Sequence, residues 1–430
     1  MRRIGPIVLL VTLLFFMAHL AGQSSPMPPV QAPPAAAPAG PAAAARDRAG
    51  YVGDEACRTC HSTQSESYLH TAHHLTSQLA GPDSILGKFD PGNDVLRTAN
   101  PGLHFNMEAK DDGYFQTAVA ASPGMSFRDM TFRTERMDVV IGSGHRAQTY
   151  LSWRGDQLFE LPVSYWVEGD PGWVNSPGYD NGLANFGRTI PPRCLECHAS
   201  FIRATAPGTF DNHYDRASLV PGVSCETCHG PGKEHIARHA PGSHPPAGQA
   251  ILNPATFSRD RQIDLCALCH NGIERKQTGP AFSYLPGEPL TSYLQPNPMD
   301  TTTRPDVHGN QVQLLKRSRC FQASNMTCST CHNPHANEAG DMKSFSRRCM
   351  SCHNGSLHKA CAMPPTSGLV LPDNCIDCHM PALPSQKIVL GLSLTADMGS
   401  SISNLVRTHR IAVYPAASLA YLKTLKAAPH

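Results

Sequence analysis

What this 430-residue chain has little of narrows the field first. There is no long basic run, which argues against a nucleic-acid surface. The formal charge is only +2, and Arg2 and Arg3 in the opening segment account for both. Hydrophobic residues make up a modest 40%, against 38 Pro and 34 Gly. That composition is a poor basis for a large side-chain core and points to a loop-rich chain with short helices. No fixed period repeats along it, which excludes a solenoid. No Cys follows the apolar opening Ile4–Ala21, which argues against a lipoprotein anchor. No Cys-x-x-Cys-Lys occurs anywhere.

Cysteine and histidine, in contrast, are abundant: sixteen and twenty-two. Fourteen of the sixteen Cys fall in seven copies of Cys-x-x-Cys-His. These are Cys57/Cys60/His61, Cys194/Cys197/His198, Cys225/Cys228/His229, Cys266/Cys269/His270, Cys328/Cys331/His332, Cys349/Cys352/His353 and Cys375/Cys378/His379. The pattern is the attachment signature of c-type haem. Two thiols form thioethers to the ring, and the next residue must be His to lie beneath the iron as its proximal ligand. Structural zinc pairs have no need of His after every second Cys. Thioredoxin-like pairs usually come singly. The expectation is seven covalently attached iron porphyrins, around which the chain folds and without which it does not.

Cys320 and Cys361 are left over. An even remainder in an exported protein suggests a disulfide, which would close a loop around the fifth and sixth motifs.

The chain divides by composition. Residues 1–22 have a basic start and an apolar stretch, the pattern of an export signal, with an uncleaved membrane anchor as the alternative. Residues 23–50 are a Pro/Ala-rich linker. Residues 51–99 hold the first motif. Here Ser65–Ala80 reads as a helix carrying His70, His73 and His74 on neighbouring positions. Residues 100–185 form a β-rich insertion. Met130–Arg136 and Gln148–Pro162 alternate, and Gly155-Asp156 marks a hairpin. All three Trp (Trp153, Trp166, Trp173) fall within it, most naturally as packing residues. Residues 186–414 carry six motifs and end in an extended tail, and 415–430 read as a final helix. The fold class expected is a multihaem cytochrome: short α-helices and loops around stacked haems, plus the β-rich insertion.

Seven irons need seven further ligands to become six-coordinate. Removing the seven motif His, His19 and His430 leaves 22 − 7 − 2 = 13. Supply exceeds demand, so a second His is favoured over Met. His335 lies three residues after His332 and cannot reach the opposite face of the same ring, so it serves another haem or none. His235, beyond the Gly230-Pro-Gly turn after His229, follows the same logic. The candidates are His73, His145, His213, His235, His308, His335 and His409, with His74, His239 and His358 as substitutes. His104 and His244 read as surface residues.

Tyr51-Val-Gly-Asp-Glu-Ala-Cys57-Arg-Thr-Cys60-His61 with Thr71-Ala-His73 resembles the opening of the cytochrome c-554-like (cytochrome c-552/4) family. Gly222-Val-Ser-Cys225 through Lys233-Glu-His235 resembles a segment of the same group. Cys328 through His335, Asn374 through Pro381 and Ile141-Gly-Ser-Gly-His145 are similar to bacterial relatives that are often fused to tetratricopeptide repeats. The resemblance covers most of residues 51–414. It implies periplasmic electron transfer by bis-His haems in stacked and perpendicular pairs. It also favours His73, His145, His235, His335 and His409 as distal ligands. This chain departs from the tetrahaem members in haem number and in its β-rich insertion, and no tetratricopeptide array follows.

The leading expectation is therefore an exported electron carrier with no catalytic residue of its own. Its partners would be a redox protein or quinol-linked donor and an acceptor, with no nucleic acid. Membrane association would run through the N-terminus. The alternative is an oxidoreductase acting on a small inorganic nitrogen or sulfur compound at one open iron. A third reading, a conductive filament of stacked chains, ranks below both.

Overall fold

The computed structural model describes residues 48–120, 130–179, 182–206, 211–243, 250–272, 275–296, 305–356, 361, 374–392 and 400–427. The predicted leader, nearly all of the linker, His244 and the substitute ligand His358 lie outside them.

Helices are short, as the Pro and Gly content implies. α1 (Asp54–Arg58) and α2 (Ser62–Tyr68) flank the first motif. The helix expected over Ser65–Ala80 stops at Tyr68. The Thr71 hydroxyl donates to the Tyr68 carbonyl at 2.7 Å and accepts from the His74 amide, giving the backbone a local alternative to helix. The chain then turns into β1 (Ser77–Leu79).

β1 leaves the first motif's segment and enters a sheet. β2 (Val95–Arg97), β3 (Leu103–Lys110), β4 (Gly113–Ala120) and β5 (Met130–Met137) form one antiparallel meander. β6 (Val139–Ile141), β7 (Ala147–Arg154), β8 (Gln157–Glu160), β9 (Val163–Trp166), β10 (Gly172–Asn175) and β11 (Arg188–Thr189) form the other. Its order is β1-β6-β7-β8-β11, with β9 on β7 and β10 on β9. Arg154 pairs Gln157 across Gly155-Asp156, a two-residue hairpin, with Gly155 at φ 61°. The strands thus run from Ser77 to Thr189, wider than the 100–185 read from alternation. Three- and two-residue strands carry too little periodicity to be seen in a sequence.

β3 buries Leu103, Phe105 and Met107 on alternate positions. They pack with Tyr150, Tyr165, Trp173 and Phe186 in the largest apolar core. A second core joins Val139, Leu151 and Leu158 to Leu195, Ile202 and Tyr214. It therefore ties the sheets to α3 (Pro192–Glu196) and to the hairpin β12 (Ala199–Ala204)/β13 (Tyr214–Pro221).

Further along come α4 (Cys225–His229), α5 (Lys233–His239), α6 (Arg259–His270), α7 (Gln311–Lys316), α8 (Arg319–Gln322), α9 (Met342–Met350) and α10 (Ile376–His379). Caps start two of them: Ser258 accepts from the Arg261 amide, and Asp341 from the Ser344 amide. A third apolar core gathers α6, α7 and α8 around Tyr284, Leu290 and Leu294. Beyond His379 the expected extended tail is instead a hairpin, β14 (Ala382–Leu392) and β15 (Ser400–Arg407), paired from Ala382↔Arg407 to Leu392↔Ser400. Helix α11 (Pro415–Ala427) closes the chain. Among the described residues no helix is long and apolar enough to cross a membrane.

Candidate functional site

Each motif is wound as a helical turn. The amide of His61 donates to the Cys57 carbonyl at 2.9 Å, His332 to Cys328 at 2.9 Å, His353 to Cys349 at 3.0 Å and His379 to Cys375 at 3.1 Å. Residues i, i+3 and i+4 of such a turn leave the same face. Two thiols and an imidazole are thereby aimed together by local winding alone.

The imidazoles meet others from distant segments. His61 faces His235 with ring centroids 6.2 Å apart, His229 faces His335 at 6.0 Å, His332 faces His409 at 6.2 Å and His270 faces His73 at 6.0 Å. In every case one ring belongs to a motif and the other does not. With a metal–nitrogen bond of about 2.0 Å on each side and a ring nitrogen roughly 1.1 Å from its centroid, two imidazoles sharing one metal sit about 6.2 Å apart. The four pairs match that spacing. His235 and His239, neither in a motif, touch at 4.7 Å. His308 is an electrostatic neighbour of the motif His198 and disfavours its protonation.

Burial, the largest cause, pulls His73 and His409 down to about 4, aided by the neighbouring His270 and His332 for His73 and by His332 for His409. His270, His332, His335, His235, His198 and His308 are lowered by the same desolvation. Lowered values keep the imidazoles neutral, the form that donates a lone pair. His73, His332 and His335 retain open surface despite their crowding.

The second ring nitrogen is held in several cases. Nδ1 of His229 meets the Leu252 carbonyl at 2.9 Å, His379 the Ala412 carbonyl at 2.9 Å, and His198 the Thr76 hydroxyl at 3.0 Å. Such bonds fix ring orientation and leave Nε2 free. Backbone carbonyls carry no sequence signature, so these acceptors were not foreseeable.

The thiols of different motifs also approach one another. Cys57 lies within hydrogen-bond reach of Cys225, Cys266 of Cys328, Cys349 of Cys375 and Cys197 of Cys269. Cys228 is an electrostatic neighbour of Cys266, and Cys331 of Cys352. All fourteen motif thiols are free, with no bridge between any two. Cys60, Cys194 and Cys352 reach solvent. Cys375 caps α10 and meets the sixth motif through Cys349. Cys378 lies within α10 one turn further on and, like Cys375, is a half-buried free thiol. Among the described residues no group of three or more His, Cys, Asp or Glu is placed to hold a bare metal ion.

Buried acids lock the motifs together, and two of them occupy the x positions of motifs. Glu226, inside the third motif, accepts the amides of Val52, Gly53 and Gly232 at 2.8–3.1 Å and so ties that motif to the lead-in of the first. Glu196, inside the second, accepts the Tyr293 hydroxyl at 2.5 Å and the Phe282 amide at 2.7 Å. Arg193 donates to the Leu268 carbonyl at 2.6 Å, joining the second motif to the fourth. A carboxylate between the two Cys is the signal from which these locks could have been found. Gly222, at φ 68°, lies where a Cβ would meet the His74 carbonyl at 2.1 Å.

Other candidates sit elsewhere. His213 spends both ring nitrogens on protein, Nδ1 on Asp156 at 2.9 Å and Nε2 on Gln157 at 3.1 Å, so neither remains for a metal. His145 is exposed, in the turn between β6 and β7. His74 stands 3.6 Å from Asp54. Cys320 and Cys361 are free thiols, not bridged. Cys320 neighbours the motif thiols Cys331, Cys349 and Cys352, whereas Cys361 is solvent-exposed.

Residues 181–230 match the family model for cytochrome c554 and c-prime. The chain is 25% identical over 178 residues to multiheme cytochrome MtrA of Shewanella baltica, covering 37% of this chain and 51% of that one. It is 21% identical over 376 residues to dissimilatory sulfite reductase MccA of Wolinella succinogenes, covering 76% and 47%. The chain thus spans about half the length of these curated relatives. Among solved structures it is similar to the outer cell wall cytochrome OcwA, with a TM-score of 0.49 and 16% identity over 86% of this chain and 81% of that one.

Proposed function

The chain is a multihaem c-type cytochrome, and on that premise we propose that it binds seven haems and passes electrons along them outside the cytoplasm. The observation that carries this reading is the set of four imidazole pairs at 6.0–6.2 Å, each joining a motif His to a distant His. Four irons are then bis-His, His61/His235, His229/His335, His270/His73 and His332/His409, and the electrostatic neighbours His198 and His308 are assigned as a fifth pair on the same pattern. Haem, when attached, supplies reversible one-electron chemistry at iron. The chain's own residues do the rest. The motif turns aim thiols and imidazole, with Cys375 and Cys378 both assigned to the seventh haem. Leu252, Ala412 and Thr76 orient rings, and Glu196 and Glu226 fix motif to motif.

The thiol contacts support an order for the cofactors. They link the first motif to the third, then the fourth, fifth, sixth and seventh, with the second attached to the fourth. Electrons enter from a redox protein or quinol-linked donor and leave to an acceptor in the periplasm. A pyridine haemochrome assay tests the count, which should come to seven haems per chain. Electron paramagnetic resonance should show predominantly low-spin iron.

A second reading is favoured by the 376-residue similarity to a sulfite reductase. In it one iron reduces a small inorganic sulfur or nitrogen compound. Turnover of sulfite or nitrite with a reduced dye, together with a high-spin signal, would select this reading. Inactive protein with wholly low-spin iron leaves electron transfer alone.

A further inference from the structure

Strand β8 ends on Glu160, an acid that the reading above does not use. The residue is only 9% exposed. Its Oε2 lies 3.2 Å from Nε of Arg188, directly opposite on β11. Its carbonyl accepts the Tyr179 hydroxyl at 2.7 Å, and the Arg188 guanidinium sits 5.4 Å over the Tyr179 ring. The titratable and charged groups around the carboxyl are Arg188 from β11, Tyr179 from the loop after β10, and Cys194 of the second motif from α3. Arg154 of β7 approaches Tyr179 from its other side. A cavity of about 240 Å³ is lined by Arg188, the partner of Glu160, with Tyr179, Leu183 and Asn185 among others.

The balance of effects at Glu160 is uneven. Arg188 is 46% exposed on its side chain, so water screens its charge. Burial outweighs it and lifts the carboxyl to about 7. The acid is therefore raised toward neutral pH, with the attachment thiol Cys194 as an electrostatic neighbour and its partner Arg188 on the wall of a cavity.

We propose that Glu160 is the proton-accepting group coupled to electron arrival at the haem of the second motif. The inference rests on the reading that Cys194 and Cys197 carry a haem. An electron from the donor protein converts Fe(III) to Fe(II) and adds one negative charge. A proton from water in the cavity adds to the Glu160 carboxylate, giving the neutral acid. Oxidation returns the electron to the acceptor and the proton to solvent. Lower pH therefore favours reduction of this one haem.

The test is a potentiometric titration of the holoprotein across about pH 5 to 9, where the raised carboxyl changes state. Wild type should show one midpoint that falls as pH rises above neutrality, approaching about 59 mV per unit. In E160Q that midpoint should become flat and the others should not move. In R188Q, which removes the counter-charge, the falling region should shift to higher pH. Redox difference infrared spectra of wild type should gain a protonated-carboxyl band on reduction, and E160Q should lack it. This readout and R188Q stand if E160Q fails to fold. Superimposable wild-type and E160Q titrations would overturn the proposal, as would a wild-type infrared difference without the band. Mass spectrometry of the peptide holding Cys194 and Cys197 separates the two failures. No haem on it defeats the underlying reading, whereas haem present with superimposable titrations defeats this inference alone.

Discussion

Two regions of this molecule solve the problem of a core in different ways. The β-rich unit from Ser77 to Thr189 packs Phe105, Met107, Tyr150, Tyr165 and Trp173 behind long antiparallel ladders. The motif-dense region beyond it has helices of four to twelve residues, a smaller apolar cluster around α6 to α8, and a share in the core that joins it to the sheets. Its interior holds facing imidazoles, thiols in contact and buried acids such as Glu196 and Glu226. One region is closed by side chains. The other has fewer apolar side chains to close it, so on the proposed reading its stability depends on attached haem.

The largest effect should come from withholding haem. In apo-protein made without haem attachment, amide exchange in α4 to α10 should approach unfolded rates, within about tenfold, while β3 to β10 keep protection. Equal protection in both regions would break the contrast. A core truncation probes the other side. Tyr150→Ala, at a fully buried position, should cost about 3–5 kcal/mol by denaturant unfolding yet leave the haem count unchanged. Glu226→Ala strands the amides of Val52, Gly53 and Gly232. It should destabilise by about 2–4 kcal/mol and loosen the first motif more than the fifth, read by thermal melts followed at the Soret band.

Single ligands give smaller and more local effects. His335→Ala should convert one iron from low to high spin at unchanged haem count, while His213→Ala should leave the spectrum as it was. Acid is the mildest probe. Burial lowers His73 and His409 below the ordinary imidazole range, and iron held by their lone pairs opposes protonation further, so their ligation is lost only as acid competes with the metal. A pH titration of the low-spin bands should therefore be flat above neutrality and decline only on the acid side.

What could be read from the sequence follows from what is local. Cys-x-x-Cys-His must close within one helical turn, so its chemistry is written in five consecutive residues. Which of its two thiols meets a neighbouring motif is not local: Cys349 meets Cys375 across two motifs, and spacing does not say so. His235 and His335 were partly legible, because a His just past a motif cannot reach round its own ring. Their partners His61 and His229 were not, since nothing in spacing says which distant segment folds opposite. The Thr71 hydroxyl bond that ends α2 early and the three-residue strand β1 depend on single contacts that periodicity does not register. The hairpin after His379 is set by pairing with β15, twenty residues on. The thiol remainder misled for the same reason: Cys320 and Cys361 are even in number, but the fold places one among motif thiols and the other in solvent.

The most direct test is an experimental map of the holoprotein at the gap between His61 and His235, with the gaps at His229/His335, His270/His73 and His332/His409 read alongside. The account predicts an iron porphyrin in each, bonded to both imidazoles and to the thiols of that motif. Imidazoles closed into direct contact, or a zinc ion held by the thiols, would contradict it.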